Sequence, residues 1–143
     1  MGYGTESMMG GLVERDAQGT PIPTQTPADK VTWDVLGPIT VHRIAAVVTT
    51  AITVADAIIA LDRRVLTGSD TGRVELGRIT IPVATGAIGK VFYKDIDPVD
   101  LDMGDQLVEE LIQASTAGAV VFQPIWIPRA ETPVNQPDAI KSA

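Results

Sequence analysis

Between Pro38 and Pro128 the chain is a succession of short apolar segments, rich in β-branched residues and each cut off by a turn signal. That pattern constrains the fold more than any other feature. Segments so short and so rich in Val, Ile and Thr fit pleated strands, and the punctuation by Gly, Pro, Asp and Asn-like turn formers sets their ends. Residues 79–93 read I-T-I-P-V-A-T-G-A-I-G-K-V-F-Y. Two β-type segments flank a turn containing Gly and Thr, which predicts a hairpin.

In chain order, residues 31–36 form a first predicted strand with Trp33 as its buried anchor, and Gly37-Pro38 a turn. Residues 39–50, I-T-V-H-R-I-A-A-V-V-T-T, read as a strand. Residues 54–66 fit two templates. The run A-I-I-A-L suits a strand covered on both faces, while Val54, Ile58, Leu61 and Val65 fit helical spacing. The following T-G-S-D-T-G is a loop. Residues 74–81 alternate, with Gly77 breaking the register and predicting a bulge. Pro82 belongs at a strand end or sheet edge, and residues 87–93 alternate as a strand.

Residues 95–104, D-I-D-P-V-D-L-D-M-G, read as an acidic loop. Residues 106–114 again divide the evidence, because Leu107, Val108, Leu111 and Ile112 recur at helical spacing, with Asp105 and Gly118 as caps. Residues 119–127 form a last apolar strand, partly at an edge because of Pro124. Several such segments spaced by turns predict an antiparallel sandwich or barrel.

The ends differ from this middle. Residues 1–30 carry eight Gly or Pro residues after Met1 and the run T-P-I-P-T-Q-T-P, with no periodic apolar face. Composition reads them as an extended arm without a core of its own. Residues 130–143 read as a polar tail. The expected organisation is an arm at 1–30, a β-sandwich domain at 31–129 and a tail at 130–143.

At 143 residues the chain is long enough for one domain, burying roughly 70% of its unfolded surface. Hydrophobic residues make up 45% and aromatics only 4%, so the core must be aliphatic. A formal net charge of −7 argues against nucleic acid and anionic membrane as partners. Cysteine is absent, which excludes disulfides and thiolate-bound metals. No basic-then-apolar leader pattern opens the chain, and no apolar run approaches membrane-spanning length.

Candidate chemistry is sparse. Asp95, Asp97, Asp100, Asp102 and Asp105 offer oxygen ligands for a cation, but they miss the spacing of a calcium loop and Pro98 interrupts them. A solvated acidic loop is the expectation. His42 is the single histidine, too few for a histidine-carboxylate metal site. Ser7, Ser69, Ser115 and Ser142 lie in no nucleophile motif. Glu109 and Glu110 are adjacent, so a strand would send them to opposite faces and spoil them as a catalytic pair. Residues 86–90, G-A-I-G-K, lack phosphate-loop spacing and read as a turn entering a strand. Trp33, Tyr93 and Trp126 could make a sugar-binding platform, though packing is their ordinary use. The reading is therefore of no catalytic, cofactor-binding or metal-binding residues, and of a protein that is not an enzyme.

One ordered set of segments carries a resemblance: A-D-A-I-I-A-L-D-R-R-V at 55–65, G-S-D-T-G-R-V at 68–74, I-T-I-P at 79–82, G-K-V-F-Y-K at 89–94, G-D-Q-L-V-E-E-L at 104–111 and A-S-T-A-G-A at 114–119. Over residues 38–129 the chain resembles small capsid decoration, or cement, proteins of tailed bacteriophages. The resemblance implies an all-β, jelly-roll-like antiparallel sandwich with an extended N-terminal arm. It makes strands of both ambiguous segments, 54–66 and 106–114. It implies a non-enzymatic virion protein on the outer capsid surface that clamps neighbouring major capsid subunits. It further implies a homo-oligomer, a trimer by preference, and no cofactor. A jelly-roll carbohydrate- or receptor-binding module of a virion is the alternative.

Overall fold

The computed structural model describes residues 13–15, 21–65 and 72–129. Among them there are nine strands and no helix: β1 (Val13–Arg15), β2 (Ile22–Pro23), β3 (Ala28–Val35), β4 (Ile39–Thr53), β5 (Ala57–Val65), β6 (Val74–Ile81), β7 (Val91–Leu101), β8 (Asp105–Gln113) and β9 (Ala117–Pro128). Two antiparallel sheets form, in the orders β1-β3-β8-β5-β6 and β2-β9-β4-β7. Their facing sides share one core, with Trp33, Ile59, Leu61, Leu107 and Leu111 from the first sheet and Ile39, Ile44, Val120 and Phe122 from the second. The expected all-β sandwich is the observed fold.

The ambiguous segments are strands because they are covered twice. β8 lies between β3 and β5. Its Leu107, Glu109 and Leu111 point into the core, while Gln106 and Val108 are also buried on the opposite face. Burial on both faces erases the alternation that identifies a strand, and the remaining spacing imitates a helix. β5 shows the same effect, with Ile59 and Leu61 inward and Ala60 and Asp62 buried outward.

Three expectations require correction. Residues 79–93 do not form a hairpin: β6 ends at Ile81 in one sheet and β7 begins at Val91 in the other. The connection is fastened to β4 instead. Ile52 N–H donates to Gly86 C=O at 3.0 Å, Gly89 N–H to Val48 C=O at 2.8 Å, and Val48 N–H to Lys90 C=O at 2.9 Å. A Cβ on Gly86 would lie 2.9 Å from Ile52 Cβ, so the loop sits as close to β4 as a glycine permits. Residues 87–90 are consequently a turn, closed by Lys90 N–H on Ala87 C=O and by Gly89 at φ +87°.

The second correction concerns residues 95–101, read as loop but lying within β7. Ile96, Val99 and Leu101 pack toward the core, and the intervening acids face solvent. Pro98 is tolerated because β7 is the outermost strand of its sheet. The third is the boundary at residue 30, which falls inside β3; β1 and β2, from the segment assigned to the arm, pair with β3 and β9. The rest of the arm and the tail at 130–143 lie outside the described residues.

The bulge expected at Gly77 is present. Leu61 faces Gly77 while Asp62 faces Glu75, which leaves Leu76 as the extra residue. Gly77 also marks where the sheets meet at one side: a Cβ there would lie 2.5 Å from Ile96 Cγ2 of β7.

Candidate functional site

One end of the sandwich gathers the β3–β4 turn, the β7–β8 turn and the close of β9. Val13 of β1 pairs with Val35 at the finish of β3. Arg129 follows β9, and its N–H donates to Pro38 C=O at 3.0 Å in the β3–β4 turn. Its guanidinium also donates to Ile39 C=O at 3.2 Å, Leu101 C=O at 2.8 Å and the Asp102 carboxylate at 2.8 Å. One arginine thus ties β9, β4 and the β7–β8 turn into a single rim. Gly104 N–H reaches Val35 C=O at 3.3 Å and sets the two turns side by side. On this rim stand exposed Leu36 and Met103, with Val65 at the end of β5 and Ile127 near the end of β9. Met103 is 73% exposed, and Val54 and Ile88, away from this rim, are comparably exposed at 78% and 71%.

A second feature is an ionic cluster on the outer face of the five-stranded sheet. Arg73, just ahead of β6, bridges three strands. It donates to Asp62 at 2.8 Å, to both oxygens of Asp29 at 2.7 and 3.0 Å, and to Glu110 at 3.3 Å. Next to it Arg64 donates to Gln106, which donates to Asp34, and Arg78 makes a two-bond pair with Glu75. The Arg73 hydrogen bonds hold the Asp29 carboxyl below its ordinary range, against the opposing effect of burial. Arg78 does the same for Glu75. Glu110 moves the other way: burial raises it first, and a hydrogen bond with Asp62 adds to the rise. A guanidinium already stands where these carboxylates converge, and no group of acids or histidines suited to a metal occurs among the described residues.

Most of the acids weighed for a cation are engaged by protein partners, and Asp100 and Asp102 both face Arg129, at 3.6 and 2.8 Å. Asp95 pairs with Arg43 at 2.6 Å, Asp100 accepts from Thr40 at 2.6 Å, Asp102 pairs with Arg129, and Asp105 accepts from its neighbour Asp102 N–H at 3.0 Å. Asp97 is exposed on β7. His42 is half-buried at a register shift of β4. Ser115 is buried and hydrogen-bonded to Thr24 Oγ1 at 2.6 Å, a structural contact that fastens β2. Ser7, Ser69 and Ser142 lie outside the described residues. Glu109 is fully buried between Val31 and Leu61, and Glu110 faces outward, as adjacency in a strand requires.

The three aromatics make no platform. Trp33 is in the core, Trp126 packs against that core, and Tyr93 stands exposed on the outer face with Arg43 5.4 Å from its ring centre. Sequence reasoning missed the Arg73 cluster. Asp29, Asp62, Arg73 and Glu110 are far apart in the chain, and only the strand order β3-β8-β5-β6 brings them together. These features define a two-sheet antiparallel sandwich with a turn-built apolar rim and an arginine-strapped outer face. No family model matches the chain, and neither does any curated protein.

Proposed function

We propose that the chain is a structural virion protein, a non-enzymatic cement that binds the outer surface of a phage capsid and clamps neighbouring major capsid subunits. The resemblance over residues 38–129 supports this reading. The observation that supports it furthest is the rim of turns, where Arg129 ties β9, β4 and the β7–β8 turn together and Leu36 and Met103 stand exposed. In this reading the rim faces the capsid, and residues 1–12 and 130–143 reach neighbouring subunits from it. Contacts that are weak singly then reinforce one another through high effective concentration. A small cyclic homo-oligomer, a trimer by preference, would multiply them further.

The test is co-sedimentation with bare capsids, alongside a light-scattering mass of the free protein. The full chain is expected to pellet with capsids. Removing residues 1–12 and 130–143 together should lower capsid affinity at least about tenfold while the circular dichroism spectrum stays that of a β-sheet protein. Undiminished pelleting by the trimmed chain, or none by the full chain, refutes the clamp. The larger deletion of residues 1–30 is unsuitable, because it removes β1, β2 and the first residues of β3.

A further inference from the structure

The two outer faces of the sandwich differ. Charged side chains hydrogen-bond over that of the five-stranded sheet, among them Asp29, Asp62, Arg64, Arg73 and Arg78. The four-stranded sheet is different. Along β4, Ile44, Ala46 and Val48 enter the core, so Arg43, Ala45 and Val47 face out. Their ladder partners on β7 are Asp95, Tyr93 and Val91, which share that face in three rows. The 2.6 Å bond from Arg43 to Asp95, and the Tyr93 ring 5.4 Å from the guanidinium, place these side chains together. An antiparallel sheet with one wet face ordinarily turns polar residues to it. Here two of the three rows are apolar, and Tyr93 and Val91 are 63% and 47% exposed. Tyr93 also stands beside Ala45, which is only 9% exposed. The face therefore carries a knob and, next to it, a hollow.

We propose that this face pairs with a second copy of the chain, about a two-fold axis that runs along the strands between β4 and β7. That operation lays each β4 residue over the β7 residue of the same row in the other copy. Tyr93 of each copy then fills the hollow at Ala45 of the other. Stacked sheets lie about 10 Å apart, a gap that a tyrosine opposite an alanine spans and two small side chains would not. Val47 meets Val91 in the next row.

Charge selects both the occupant and the axis. The chain carries a formal −7, so two copies repel unless they meet where charge is balanced. These rows hold one cation and one anion. Under the proposed axis Arg43 of each copy lies over Asp95 of the other, and the ion pair is made twice more across the interface. An axis along β4 itself would stack Arg43 on Arg43. The contact is two strands wide, less than the roughly 800 Å² per partner of a standard interface, so the pairing is weak and reversible. It does not rest on the capsid reading. It uses one patch twice and closes on itself, whereas a cyclic trimer needs two different patches on every copy.

The experiment is sedimentation of the full chain, without capsids, from about 10 µM to about 1 mM. Wild type should rise from the mass of one copy toward that of two. Tyr93→Ala should weaken pairing at least about tenfold. Arg43→Asp and Asp95→Arg, each alone, put like charges in both cross-contacts and should sediment as single copies. Mixed one to one, these two variants should pair again, because each then meets the opposite charge. A role confined to one molecule predicts no such recovery. Circular dichroism checks that every variant keeps its β-sheet spectrum. If a reversal does not fold, Val91→Asp at its exposed position replaces it and should abolish pairing. A wild type that stays single, a mass of three copies, pairing indifferent to Tyr93→Ala or Val91→Asp, or a mixture that fails to recover overturns the proposal.

Discussion

Val54 has a backbone that its side chain opposes. It follows β4 with φ +72° and is 78% exposed. A β-branched residue in the left-handed region loses about 1–2 kcal/mol relative to a permissive one. Nothing buried compensates, since the side chain projects into solvent. Ala55 N–H on Thr53 C=O at 2.8 Å and Thr116 N–H on the same carbonyl at 3.0 Å impose the turn. Val54→Asn should raise stability by about 1 kcal/mol, since Asn tolerates this region, and urea unfolding would show it as a higher midpoint at unchanged slope. Gly118 is the opposite case. Its φ is +146°, and an added Cβ would lie 2.5 Å from Ile52 Cδ1 and 2.6 Å from Thr24 Oγ1. Gly118→Ala is expected to cost about 2–4 kcal/mol, from strain and overpacking together, in the same measurement. A loss under half of that would mean the β2 attachment yields easily.

Among the elements, β2 depends on that glycine. Two residues make its ladder, Ile22 with Val120 and Pro23 with Ala119. The rest of its hold is the knot beyond it, where Thr24 N–H donates to Gly118 C=O at 3.1 Å and Ser115 N–H to Thr24 C=O at 2.8 Å. No local pattern announces such a strand, because its residues lie in a Pro- and Thr-rich run that reads as arm. The later part of β7, from Asp95 on, was hidden differently. Its inward Ile96, Val99 and Leu101 are interleaved with aspartates and Pro98, so composition outweighed alternation. By contrast β4, β6 and β9 were legible, since each presents one apolar face and ends on a Pro, Gly or turn. The partners of each strand were not legible, because ladders join residues distant in the chain. That is why the Asp29–Asp62–Arg73–Glu110 cluster escaped notice while the separate residues were plain to see.

For the molecule as a whole, sequence-distant pairing sets the folding rate. β3 must find β8, and β4 must find β9, before either sheet has a centre. Loops that long are closed at an entropic cost before contacts repay it, so folding should take milliseconds to seconds, as stopped-flow fluorescence of buried Trp33 would record. Microsecond relaxation would contradict that ordering of events. The margins of the sheets matter at this scale too. β9 has β2 beside it only at Ala119 and Val120, and Pro124 and Pro128 occupy the stretch left open. β7 presents Lys94, Asp95, Asp97 and Pro98 along its margin. Missing donors and fixed charges blunt both borders against strand addition. Molecules crowded shoulder to shoulder can therefore touch without zipping into fibres, and a solution concentrated until neighbours collide should stay clear.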